Sequence, residues 1–200
     1  MLNSAYKLSF TNGALLRSEA IAVAEVYMKL RSWDAVSQHI VEHNTLDART
    51  ARSLKILTRE LRYRLQTLSD EELEFLIAAD VTSQNHLLWI ASARAYGFIR
   101  DFAIEVLHER FITFAMDLPR ETFDEFCSQK STMHPELLDI SDNTLHKLRQ
   151  VLFLMMRQAG FLGTDNRIHT CLINLQLASL LRESRQNDFV LFPVFEGDYA

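Results

Sequence analysis

The sequence is short of everything that interrupts a helix. Five Gly and three Pro in 200 residues leave little material for tight turns, which fits long helices joined by short connections better than a strand-rich fold. Cysteine is scarcer still. Cys127 and Cys171 share no motif. A bridge between them is arithmetically open, but nothing in the pattern asks for one, so a reducing compartment is the simpler reading and the cytoplasm the expected location. Long hydrophobic runs are missing too: none approaches the roughly 18–20 residues of a membrane span. The stretch 151–156 is bounded by Arg149 and Arg157, and 87–99 is interrupted by Arg94; both read as buried faces of soluble helices. The opening Met1-Leu2-Asn3-Ser4-Ala5-Tyr6-Lys7 has no basic segment leading into an apolar core, so no signal peptide is expected. There is no Gly-rich phosphate loop and no G-x-S-x-G, and no small-molecule substrate is expected.

What is present is ordinary in bulk and uneven in detail. Hydrophobic residues make up 48% and charged residues 24%, with a formal net charge of −5. These values suit a globular chain and argue against a uniformly basic coat. Apolar spacing predicts a mostly α, multi-helix bundle with short β segments at most. A first helix is expected over 14–31, and a second over 33–44 capped by Ser32. After the turn Asn44-Thr45-Leu46-Asp47 comes a third over 48–68, with Leu54, Leu57, Leu61, Leu65 and Leu68 on one face. Ser69 and Glu72 form a capping box for a fourth helix to 79. Thr82 or Ser83 caps a fifth to 96, and a bend at Gly97 leads into a sixth to 114. Pro119 opens a seventh over 120–129. A connector follows over 131–140. Ser141 caps an eighth over 142–159, ended by Gly160. Short strands are expected at 167–170 and 189–192, around a ninth helix at 175–183. The whole chain, 1–200, reads as one helical domain with lobes at 1–68, 69–140 and 141–200.

The third helix carries the information. Arg49, Arg52, Lys55, Arg59, Arg62 and Arg64 face a single acid, Glu60, in a chain of opposite net sign. At about 100° per residue, Arg52, Lys55, Arg59 and Arg62 share a stripe away from the leucines. Such a ridge suits a phosphate backbone, because each neutralised phosphate releases counterions. Arginine adds a planar donor fork that clamps phosphates or reads guanine edges. A short helix, a turn and a long basic helix also trace the outline of a helix-turn-helix. The plainer alternative is a solvated face partly paired with Asp70, Glu71, Glu72 and Glu74. In the eighth helix, Lys147 and Arg149 are second-tier DNA contacts, and the segment after it looks like the end of a winged-helix unit; the plain alternative there is a core helix with solvated flanks.

Other patterns suggest chemistry less well. His39-Ile40-Val41-Glu42-His43 matches H-x-x-E-H, in which two His share a zinc and the Glu polarises a water. Here the helix ends at once, and a third ligand, such as Glu105 or Glu109, would have to come from far away. No catalytic set, metal or cofactor is expected, and the thirteen Phe read as core rather than as base-stacking platforms.

Taken in order, several segments resemble the BrxA family of BREX bacteriophage-defence systems. They are Tyr6-Lys7-Leu8-Ser9-Phe10, Trp33-Asp34, Arg59-Glu60-Leu61-Arg62-Tyr63-Arg64-Leu65 with Leu68-Ser69-Asp70-Glu71-Glu72-Leu73, Leu88-Trp89, Arg100-Asp101-Phe102, Glu105-Val106-Leu107, His134-Pro135-Glu136-Leu137, and Lys147-Leu148-Arg149-Gln150-Val151-Leu152-Phe153 running to Ala159-Gly160-Phe161-Leu162. The resemblance spans about 6–193. It implies a helical, non-enzymatic component that binds double-stranded DNA beside other BREX proteins (an ATPase, a methyltransferase and a phosphatase-like partner), and a likeness to NusB-type antitermination factors. The label "putative inner membrane protein" sometimes attached to the family finds no span in this sequence. The competing expectation is a protein–protein adaptor whose basic ridge docks an acidic partner.

Overall fold

In the computed structural model, residues 5–11, 13–184 and 187–195 are described; the opening segment 1–4 used above for the leader argument lies outside them. The element order is α1 (Arg17–Leu30), α2 (Trp33–His43), α3 (Ala51–Leu65), α4 (Asp70–Ala78), α5 (Val81–Ala95), α6 (Gly97–Phe102), a π-helical turn (Ala103–His108), α7 (Glu109–Ile112), α8 (Glu121–Lys130), a 3-10 turn (Pro135–Leu137), α9 (Asp142–Gln158), α10 (Leu175–Glu183) and a second 3-10 turn (Phe189–Leu191).

The helix starts follow capping chemistry. Ser32, Ser69 and Ser141 each accept from a backbone N–H three residues on, and Ser69 and Glu72 close the expected reciprocal box. Two starts differ from expectation. α5 is capped by Asp80 rather than by Thr82 or Ser83: its carboxylate takes the Thr82 and Ser83 amides at 2.9 and 3.1 Å and the Ser83 hydroxyl at 2.6 Å. A carboxylate has acceptor sites for all three donors where a hydroxyl does not. α3 begins at Ala51, not near 48, because Thr50 and Ser53 form a second capping box. The connector from α2 therefore covers 44–50, longer than the tight turn of a helix-turn-helix.

α5 is the axis of the molecule. Every residue from 86 to 93 is buried, the polar His86 and Ser92 included. α3, α4, α6 and α9 pack on it. Trp89 is fully buried, donates from its indole Nε1 to the Leu191 carbonyl at 2.8 Å and meets the Phe161 ring edge-on. Deeper aromatic packing runs through Phe98, Phe102, Phe123 and Phe126, so these rings serve the core.

The expected sixth helix is one continuous rod to Ile112 with a π-helical turn inside it. That widened turn receives the C-terminal 3-10 segment, and His108 Nδ1 lies 2.9 Å from the Phe192 carbonyl. The strand expected at 189–192 is instead the turn Phe189–Leu191: the chain here hands its carbonyls to Trp89 and His108 rather than to a neighbouring strand. Among the described residues, β pairing is limited to two isolated antiparallel bridges, Asp117 with Arg167 and Leu162 with Ile168. The winged-helix detail expected after α9 therefore has no sheet behind it.

Candidate nucleic-acid interface

α3 separates its two faces cleanly. Leu54, Leu61 and Leu65 are buried against α1, α2 and α5, while Arg52, Lys55 and Arg59 are exposed. Arg49 lies just before the helix. Asn44 holds it there by bonding the Ala48 amide and carbonyl at 3.0 and 3.3 Å, with Asp47 at a φ of 47°. Arg49 therefore extends the ridge past the helix start, where the positive end of the helix dipole adds to the cationic field.

Pairing decides which of these charges are available. Arg64 is not: it is buried, its Nε donates to Glu60 at 2.6 Å and one terminal nitrogen to the Ala14 carbonyl at 2.6 Å. Glu60 is buried beside it and also accepts from the Tyr96 hydroxyl at 2.7 Å. This cluster holds the Tyr96 phenol well above its ordinary pKa, first by burial and then by the hydrogen bond to Glu60. So the one acid in the basic segment is internal and already neutralised. Arg62 is a third exposed and donates to Asp34 at 2.7 Å, across the α2–α3 contact. By contrast, Arg49, Arg52, Lys55 and Arg59 form no ion pair among the described residues.

The acidic stretch at the start of α4 does not neutralise them. Asp70 and Glu74 face Arg31 at 2.6 and 3.8 Å. Glu72 is buried and grips Arg94 with both oxygens at 2.7 Å. The partial pairing of α3 with Asp70, Glu72 and Glu74 that the plainer alternative included is therefore not formed, while the solvated face itself remains.

The second-tier residues sit elsewhere, on α9, which packs on α5. Lys147 is exposed. Arg149 is largely covered and donates to Asp124 at 2.5 Å. One basic residue escaped the sequence pattern. Lys7 sits on the N-terminal arm with its ammonium 3.1 Å from the Tyr63 ring centroid. It shares a cleft of about 350 Å³ with Ser9, Thr11, Arg59 and Tyr63. No local signal marks it, because its place beside α3 depends on the arm folding back over the helix.

The other chemical candidates resolve into packing. The rings of His39 and His43 stack at 4.3 Å, His43 Nδ1 lies 2.9 Å from the His39 carbonyl, and Glu42 accepts from Gln38. Nor do Glu105 and Glu109 join them: among the described residues no three His, Cys, Asp or Glu side chains come together as a metal site. Both cysteines are buried and free, and burial pushes each thiol up to about 12, far from the thiolate a nucleophile needs. Cys171 Sγ lies 3.5 Å from His86 Nε2, but burial pulls His86 below its ordinary pKa. The dyad is thus an uncharged core contact. No helix among the described residues is long and apolar enough to cross a membrane.

Fold and surface together define an all-helical protein whose α3 presents, with Arg49 before it, basic side chains that form no ion pair among the described residues. The chain belongs to the BrxA family: the family model of that name matches residues 4–185. It is 27% identical over 173 residues to a protein of Escherichia coli O9:H4 (strain HS) named "BREX protein BrxA", covering 86% of this chain and 79% of that one. A protein of the same name from Paramagnetospirillum magneticum (strain ATCC 700264 / AMB-1) is 23% identical, with 93% and 94% covered. Among solved structures, an uncharacterized protein from Magnetospirillum magneticum shares the fold with a TM-score of 0.79 at 21% identity, over 94% of this chain and 96% of that one.

Proposed function

We propose that this protein is a non-catalytic, cytoplasmic component of a BREX-type phage-defence system that binds duplex DNA through the outer face of α3. The observation that carries the reading is the set Arg49, Arg52, Lys55 and Arg59. All four are exposed and form no ion pair among the described residues, in a chain of net charge −5. A basic ridge left unneutralised in an acidic protein awaits a polyanion. The family membership, and relatives named BREX proteins, support the place in a defence system alongside other BREX proteins. Arg52, Lys55 and Arg59 lie three and four residues apart and would hold phosphates; one or two forks could read base edges. Arg62, tied to Asp34, contributes less. Lys147 and Arg149 lie on a different helix, α9, which packs on α5, and Arg149 is already engaged by Asp124.

The test is a titration of the protein with duplex DNA, single-stranded DNA and RNA across a salt series. Duplex affinity should fall steeply with salt, by roughly 0.9 in log–log slope for each phosphate neutralised. The combined change Arg52→Ala, Lys55→Ala and Arg59→Ala should flatten that slope by about 2–3 while the protein stays folded. Unchanged affinity and slope in this variant would sink the reading. Absence of binding to all three nucleic acids would transfer the ridge to the adaptor reading, in which it docks an acidic partner protein.

A further inference from the structure

The outer face of α9 carries a second cationic surface of different chemistry. Leu148, Leu152, Met155 and Met156 turn into the core. His146, Gln150, Leu154 and Arg157 follow one another at helical spacing on the opposite side, over roughly 16 Å of helix at about 1.5 Å per residue. With Arg120 from the start of α8 they border a groove of about 400 Å³. Three arginines (Arg120, Arg149 and Arg157) and His146 line it; Arg149 is paired with Asp124 beside the groove, and Arg120 and Arg157 form no ion pair among the described residues.

This groove differs from the α3 ridge in two ways. Two of its three arginines are held in place: Arg149 by Asp124 at 2.5 Å, and Arg157 by the Asn166 side chain at 2.5 Å with its guanidinium toward the Phe153 ring. Its floor is apolar. Val151 and Phe153 lie between the cations, and Leu154 leaves 46% of its surface in water at the centre of the face. A phosphate backbone offers nothing to cover an exposed leucine, whereas an amphipathic helix does. Such a helix places an apolar side chain with carboxylates three or four residues to either side, matching a central Leu154 flanked by the guanidinium groups of Arg120 and Arg157.

We propose that this groove on α9 docks an acidic amphipathic helix of a partner protein, one apolar side chain seating on Leu154 and flanking carboxylates pairing with Arg120 and Arg157. The protein would then hold nucleic acid on α3 and a protein partner on α9.

The probe is a fluorescein-labelled synthetic helix of about four turns, with one Leu flanked by Glu three and four residues away, read by fluorescence anisotropy on the full chain. A scrambled peptide of the same composition and a short labelled DNA duplex are run beside it. The amphipathic peptide should bind about tenfold or more tighter than its scramble. Leu154→Asp should abolish that preference and Arg120→Glu should weaken binding; both positions are exposed, and unchanged thermal unfolding verifies the fold. Alanines at Arg52, Lys55 and Arg59 should leave peptide binding intact. Three results overturn the proposal: no binding of the peptide, equal binding of the scramble, or loss of duplex binding rather than peptide binding in Leu154→Asp, which would assign the groove to DNA.

Discussion

Arg94 on α5 donates to Asp188, 94 residues later in the chain, at 2.8 and 2.9 Å, and takes both oxygens of Glu72 on α4 with its remaining donors. Asp188 is fully buried and is reached from the other side by Arg100 at 3.2 Å. One guanidinium thus joins the start of α4, the central helix and the C-terminal segment. Burial opposes its charge, but the Glu72 hydrogen bonds and the two carboxylates outweigh it and hold its protonation more firmly than usual.

Because Arg94, Glu72 and Asp188 are largely buried, breaking the network on one side should be costly. Asp188→Ala should lower stability by about 3 kcal/mol, since a buried pair that loses one member leaves the other uncompensated. Urea unfolding, followed by the fluorescence of Trp89, checks it. Arg94→Met combined with Glu72→Gln and Asp188→Asn should cost less than Asp188→Ala alone.

Arg59 and Arg64 are five positions apart on one helix and should behave oppositely. Arg64→Ala should destabilise by roughly 3–5 kcal/mol, because it strands the buried Glu60 carboxylate. Arg59→Ala should leave stability within about 0.5 kcal/mol and reduce the salt slope of DNA binding by about one contact. The pair of measurements fails if Arg64→Ala unfolds like wild type.

His86 sets a pH dependence. Burial holds its pKa below the ordinary value, so the folded state binds fewer protons than the unfolded state once the pH drops below about 6.5. Its contribution is complete above that pH and is lost as pH falls toward the depressed folded value. Unfolding free energy should therefore decline from pH 7.5 to about 5.5. His86→Gln, which keeps a donor for the Ala159 carbonyl that His86 meets at 3.1 Å, should reduce that decline. An unchanged slope would show that His86 is not its source.

Neither thiol should react in the native state. With both cysteines buried and their pKa values near 12, labelling by a disulfide reagent at neutral pH should proceed only at the rate of opening. In denaturant it should be complete at once. Fast labelling of either thiol in native protein would mean that the packing over it is looser than described.

The local layer of this protein is written in its sequence. The Ser32, Ser69 and Ser141 caps, the bounds of α10, the leucine face of α3 and the basic stripe opposite all follow from short-range rules: hydrogen-bond donors needing acceptors, and a period of about 3.6 residues sorting side chains onto faces. What those rules leave open is which charges survive folding. Six basic residues lie between 49 and 64, and the helical period placed four of them, Arg52, Lys55, Arg59 and Arg62, on one stripe. Tertiary packing buried Arg64 with Glu60, tied Arg62 to Asp34 and sent the acids of α4 to Arg31 and Arg94. Arg49, Arg52, Lys55 and Arg59 were left without an ion pair among the described residues, with Lys7 brought alongside. The C-terminal segment shows the same division: Phe189–Leu191 has strand-like residues but forms a 3-10 turn. Its hydrogen-bond partners, Trp89 and His108, come from helices that only the folded core places next to it. Caps and faces depend on neighbours a few residues away. Pairing of charges and burial of backbone groups depend on distances between segments, and the tertiary structure alone settles those.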